Sequence, residues 1–166
     1  MEGPSCSSRS AGDCPCSECA EKLAAEAEKM DTRKDWAYSA AKTPFDPRLK
    51  HFDEDTWKCN LFVSDMIFQA GYLPPANDPR WWTSMRWPLS ASQWRDEDIP
   101  GWRKETKICR GDVVSTGVHM GIAIIETMYV PAAIDAVVMA AGTNNVSSSP
   151  AHKLSTGVTI QRMDCP

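Results

Sequence analysis

The hydrophobic pattern of this chain changes character at Arg110. In the segments before that point that show a period, apolar residues recur at helical spacing. After it they fall in short blocks rich in valine and isoleucine, separated by turn residues. Helices first and strands afterwards predict an α+β domain, with N-terminal helices packed on a small antiparallel β-sheet.

The segment CAEKLAAEAEKM, from Cys19 to about Met30, is a strong helix former with Leu23, Ala27 and Met30 on one face. Thr32-x-x-Asp35 has the form of a capping box. It predicts a second helix to about Lys42, with Trp36, Ala37, Ala40 and Ala41 inward and Pro44 and Pro47 ending it. Residues 43–58 read as a loop. A third helix is expected from Cys59 to the C-capping Gly71, with an inward stripe of Cys59, Phe62, Val63, Met66, Ile67 and Ala70. Cys59 therefore sits on the buried face of that helix's first turn.

Residues 72–110 show no clean period, yet they hold Trp81, Trp82, Trp87, Trp94 and Trp102. Such a stretch reads as a long irregular excursion with one short helix near Ser90–Trp94. Its tryptophan density argues against disorder. Beyond Arg110, a Gly111-Asp112 turn precedes Val113-Val114. Val118–Ile125 is expected as a buried strand containing His119, and Asp135–Ala141 as a second. Gly142–Asn145 turns the chain, and Gly157–Gln161 forms a last strand.

The chain has 166 residues, 42% of them hydrophobic and 24% charged, as expected of one globular domain. Its net charge of −4 argues against a protein that coats DNA or RNA. Residues 1–19 lack the apolar core of a signal peptide, and no run approaches the length of a membrane span. We expect a flexible cysteine-containing tail over residues 1–19, one domain over residues 20–166, and synthesis in the cytoplasm without a signal peptide.

Seven cysteines make a fully paired disulfide framework impossible. Cys14-x-Cys16-x-x-Cys19, with Cys6 upstream, has half of a zinc or redox spacing and lacks the second half nearby. A reduced tail, or disulfides formed in an oxidising compartment, are the other readings. Cys109 and Cys165 flank the expected sheet and are candidates to pair with each other. His51 and His152 lie in polar stretches and read as surface residues.

Cys59 and His119 carry the most chemistry. A helix N-terminus presents unsatisfied N–H groups that stabilise a thiolate or an oxyanion. A histidine on a neighbouring strand can accept the thiol proton and later protonate a leaving amine. By itself, a cysteine on an apolar stripe reads as a small core side chain. The pair acquires meaning only if the fold brings it together.

The ordered set Trp57-Lys58-Cys59-Asn60-Leu61-Phe62-Val63, Ala70-Gly71, Gly111-Asp112-Val113-Val114 and His119-Met120-Gly121-Ile122-Ala123 resembles the papain-like cell-wall hydrolases of the NlpC and CHAP type. Residues 88–102 resemble the corresponding segment of toxin amidases, several of them type VI secretion effectors. The resemblance spans roughly residues 32–162. It implies a papain-like fold, Cys59 as nucleophile and His119 as base and acid. The family's third polar residue is missing from the centre of the strand ending at Ala141. Asn144 just beyond it is the first substitute, Asp135 the second, and a dyad without a third residue the last.

Asn60, beside the nucleophile, Trp57 and Trp102 are the candidate substrate contacts. Any one tryptophan, however, reads first as core. The implied substrate is the stem peptide or cross-link of bacterial peptidoglycan, with no cofactor or metal required. The implied setting is a secreted antibacterial toxin acting in a target-cell periplasm, with a cognate immunity protein as partner. A thiol acyltransferase, a deamidase, and a non-enzymatic binding module organised by zinc are the alternatives.

Overall fold

The computed structural model describes residue 14 and residues 17–125, 136–150 and 157–166. Cys6, Cys16, Asp135 and His152 lie outside the described residues. Three helices pack on one face of a six-stranded sheet, an α+β arrangement. The helices are α1 (Glu18–Lys29), α2 (Cys59–Gln69) and α3 (Ala91–Asp96). The strands are β1 (Trp102–Glu105), β2 (Val113–Ser115), β3 (Met120–Ile125), β4 (Val137–Ala141), β5 (Val146–Pro150) and β6 (Thr159–Met163). Their spatial order is β1-β6-β2-β3-β4-β5, and every neighbouring pair is antiparallel.

α1 starts where Ser17 Oγ accepts the Ala20 N–H at 3.3 Å, and Glu18 and Glu21 add negative charge to the first turn. It buries Cys19, Leu23 and Ala27 against α2 and the sheet. α2 is apolar around most of its circumference, with Leu61 through Ile67 all buried, so it forms the centre of the core. It ends as expected at Gly71, whose φ of +95° lets Tyr72 N–H reach Ile67 O at 3.1 Å. α3 carries a complete capping box between Ser90 and Gln93.

The sheet sorts its side chains by period two. Val113, Met120, Ile122, Met139, Ala141 and Met163 join the helix-facing core, and Val114, Ala123, Val138 and Ile160 form a second cluster with Ile108 and Ala136.

The helix expected over Thr32–Lys42 does not form. Thr32 has a φ of +67° and cannot cap a helix there. The segment makes single turns and runs beside β5 instead: Thr32 N–H donates to Val146 O at 2.9 Å and Val146 N–H to Arg33 O at 2.8 Å. Tertiary packing overrides helix propensity at this point. Trp36 is buried edge-on against Phe62 and Phe45, and its indole N–H donates to Asp65 of α2 at 2.8 Å.

Cys109 and Cys165 do not pair with each other. Disulfides join Cys14 to Cys109 and Cys19 to Cys165. Residue 14 and the start of α1 are thereby fixed to the sheet, and the free tail expected over residues 1–19 does not extend to them. In the structure the Cys14 and Cys19 sulfurs are joined in disulfides and are not the free thiolate ligands that their spacing suggested. Among the described residues no group of His, Cys, Asp and Glu side chains is arranged to hold a metal ion.

The Gly111-Asp112 turn is architectural. Gly111, at φ +90°, lies so close to the Ala20 backbone that a Cβ would collide with it. Buried Asp112 accepts the Cys109 N–H at 2.7 Å and two hydrogen bonds from Arg162 of β6 at 2.9 Å. Among the described residues no helix is long and apolar enough to cross a membrane.

Candidate active site

Cys59 is the first residue of α2, and it is the free cysteine among the described residues. Its helix start is unusual because the N-cap is Lys58, which supplies no side-chain cap. The first N–H groups of α2 are left for other partners. Backbone N–H groups of Met120, Asn60 and Cys59 itself point toward the Cys59 sulfur and favour its anion. Met120 opens β3 and directly follows His119. The sulfur thus lies where the N-terminus of α2 meets the start of β3.

Burial opposes those donors and dominates. Cys59 is 8% exposed, and desolvation pushes its thiol above the usual cysteine range. His119 does not lie within the strand as expected. It closes the β2–β3 hairpin, with Thr116 N–H donating to its carbonyl at 2.9 Å and its own N–H donating to Thr116 Oγ1 at 3.1 Å. Burial holds its imidazole below the ordinary value of 6.5. No hydrogen bond among the described residues reaches the ring nitrogens. Burial keeps both groups neutral, the Cys59 thiol at the start of α2 and the His119 imidazole on the adjoining hairpin, and no hydrogen bond joins the two side chains among the described residues.

Lys58 was not anticipated from the sequence as a site residue. It is 1% exposed, and its ammonium donates to the carbonyls of Thr56 (2.8 Å), Ala37 (3.2 Å) and Tyr38 (3.2 Å). Burial lowers its pKa, and no carboxylate contacts it within ion-pair distance among the described residues. The ammonium ties residues 37–38 to the start of α2. Tyr38 then stacks on Trp57 with ring centroids 4.8 Å apart, and its N–H donates to Thr143 O at 2.9 Å in the β4–β5 turn. Trp57 is 61% exposed, so an aromatic wall stands in solvent beside the α2 start. Tyr38 gave no signal in sequence because it lay on a supposed helix.

The remaining candidates separate. Asn60 is half-buried at the second position of α2 and offers its backbone N–H to the Cys59 sulfur. Asn144 is exposed on the β4–β5 turn and makes no hydrogen bond to His119. Trp102 starts β1, and β6 and β2 lie between it and β3. Its ring packs edge-on to Trp94 at 4.8 Å, so it belongs to the core rather than to a cleft around Cys59. A cavity of about 230 Å³ is lined by residues including Asn77, Asp78, Leu89, Glu97, Asp98 and Ile99. None of these is among the residues gathered around Cys59.

The assembled parts are a thiol, N–H donors able to steady a negative charge, a neutral imidazole on the adjoining hairpin and an exposed aromatic wall. The chain matches no protein-family model, no curated protein and no solved structure.

Proposed function

We propose that the protein is a cysteine amidase of papain-like fold that hydrolyses peptide bonds in bacterial peptidoglycan, with Cys59 as nucleophile and His119 as base and acid. The observation that carries this reading is the position of Cys59. It is left unpaired while neighbouring cysteines are bridged, and it sits at an uncapped helix N-terminus under the N–H of the residue after His119.

In the proposed cycle His119 Nε2 or Nδ1 takes the thiol proton as Sγ attacks the carbonyl carbon. The N–H donors at the start of α2 steady the oxygen that becomes negative. Collapse breaks the C–N bond, and His119 returns the proton to the departing amine. A water molecule, deprotonated by His119, then attacks the thioester carbon, releasing the carboxylate and restoring the thiol. A depressed imidazole pKa suits this role, because the base is already neutral at neutral pH and so does not depend on a preformed ion pair. Tyr38 and Trp57 form the wall against which a stem peptide lies.

The choice of peptidoglycan rests on the ordered motif set around Cys59, Gly111-Asp112 and His119. Two disulfides favour action in an oxidising compartment, as a periplasmic toxin requires. The same resemblance supplies the effector setting and the neutralising immunity protein.

The test is digestion of purified peptidoglycan followed by mass spectrometry of the fragments. The parent protein is expected to create new peptide termini within the stem or cross-link, and Cys59→Ala to create none. Equal digestion by Cys59→Ala would overturn the mechanism. Acyl transfer or glutamine deamidation without new termini would overturn the hydrolytic assignment.

A further inference from the structure

The tryptophan-rich excursion divides in the structure. Trp94 is fully buried and Trp102 packs against it, whereas Trp81 is 94% exposed and Trp82 57% exposed. The exposed pair occupies the middle of a tight turn closed by Thr83 N–H to Arg80 O at 3.0 Å. Their rings meet edge to face, centroids 5.6 Å apart and planes at 83°. Behind them the Arg80 guanidinium lies between two indoles, 5.3 Å from the Trp82 centroid and 5.2 Å from that of Trp87. Lys50 Nζ stands 5.4 Å from the Trp87 ring. Backbone hydrogen bonds brace the base of this segment, from Asn77 to Trp87, Arg86 to Arg48, and Lys50 to Arg86.

Single exposed apolar residues are ordinary, but two adjacent indoles at the tip of a braced turn are a presented surface. Their charge environment is also selective. Arg48 is paired with Asp46 and Arg86 with Asp78, yet Arg80 and Lys50 have no carboxylate within ion-pair distance among the described residues. In a chain of net charge −4, Arg80 beside exposed Trp82 and Lys50 beside Trp87 are therefore two cations with no paired carboxylate among the described residues. Flat aromatic faces accept the C–H faces of sugar rings, and the cations accept carboxylates.

We propose that Trp81, Trp82, Arg80 and Lys50 form a binding surface for the peptide-bearing glycan strand of peptidoglycan, with its sugar rings on the indoles and the free carboxylates of its stem peptides on the two cations. The identity of the polymer rests on the amidase reading of Cys59; the surface itself does not. The cluster shares no hydrogen bond, ion pair or ring contact with Tyr38, Trp57, Cys59 or His119. Its role is retention on the polymer rather than chemistry at the scissile bond.

The test uses the full chain with its disulfides intact and Cys59→Ala, so that the polymer survives. Its co-sedimentation with insoluble peptidoglycan is compared with its co-sedimentation with phosphatidylglycerol–phosphatidylcholine vesicles. The peptidoglycan is expected to bind, with affinity weakened about tenfold or more by Trp81→Ala combined with Trp82→Ala. Arg80→Gln should reduce the salt dependence of binding. Trp81→Ala alone, at a side chain almost wholly in solvent, should weaken binding in the same direction without lowering the thermal midpoint. No sedimentation of the parent, equal binding by the double variant, or binding to vesicles in place of peptidoglycan would each overturn the proposal. Cleavage of soluble disaccharide-peptides by a chain with Cys59 intact separates the two readings. Absent cleavage with tryptophan-dependent binding overturns the amidase and leaves the glycan surface standing. Parental cleavage by the double variant supports retention as the surface's role.

Discussion

At the residue scale the decisive contrast is between two side chains that burial keeps neutral. The Cys59 thiol is pushed up and the His119 imidazole is pushed down, both by desolvation. An ion pair formed at rest would move each in the opposite direction. On the proposed mechanism the imidazole must be unprotonated to accept the thiol proton, so activity is lost as the pH falls through the His119 pKa. The acid limb of kcat/KM is therefore expected to have its midpoint below 6.5, the ordinary histidine value. A midpoint above 6.5 would show that burial does not hold the His119 imidazole down in the working protein. Cys59 and His119 stood out as candidates in the sequence through the ordered motif set that carries the resemblance. Lys58 and Tyr38 were not legible. Their roles come from a lysine ammonium reaching three carbonyls of another segment, and no local pattern encodes that.

At the scale of elements, Asp65 shows how a helix recruits an irregular segment. It is fully buried on α2, accepting Trp36 Nε1–H at 2.8 Å and Phe45 N–H at 2.9 Å, with Lys42 Nζ 3.8 Å away. Burial outweighs these partners and raises its pKa from 3.8 to about 6. Between those values the folded state holds a proton that the unfolded state has released, so stability falls as the pH rises through this window. Above it the full penalty is present, on the order of 3 kcal/mol at about 1.4 kcal/mol per unit. Urea unfolding of Asp65→Asn between pH 4 and 6 is expected to show a flatter stability profile than the parent. An unchanged slope would show that Asp65 is not the titrating group. The same carboxylate helps to explain the missing helix over Thr32–Lys42. Sequence periodicity placed Trp36 inward correctly, and its indole reaches Asp65 from an irregular backbone that follows β5.

At the scale of the whole molecule, the disulfides determine what counts as the domain. Cys14–Cys109 spans 95 residues of sequence and Cys19–Cys165 spans 146, so each joins the N-terminal segment to a distant segment flanking a strand, the one before β2 and the other after β6. Loop-closure entropy for spans of this size is about 5 kcal/mol each, and less than twice that together because the loops overlap. Reduction by dithiothreitol is expected to lower the urea midpoint of unfolding markedly. Cys19→Ser and Cys14→Ser should each reproduce part of the loss. A midpoint unchanged by reduction would show that α1 is held by packing alone, through Leu23 and Ala27 and the Arg110 ion pairs to Glu21 and Glu28.

The sequence by itself determined the α+β class, the extents of α1 and α2, the position of most strands and the order of the motif residues. Each of these is written in local periodicity, capping and turn chemistry, which act over a few neighbouring residues. Only the tertiary structure decided which cysteines pair, which tryptophans are core and which face water, and that His119 closes a hairpin instead of lying within a strand. The physical reason is that these outcomes depend on contacts between segments far apart in the chain. The sequence offered Cys165 as the partner of Cys109 where the fold supplies Cys14, and Trp81 and Trp94 sit in the same irregular stretch. Burial and distance, fixed only when the sheet closes against the helices, separate them.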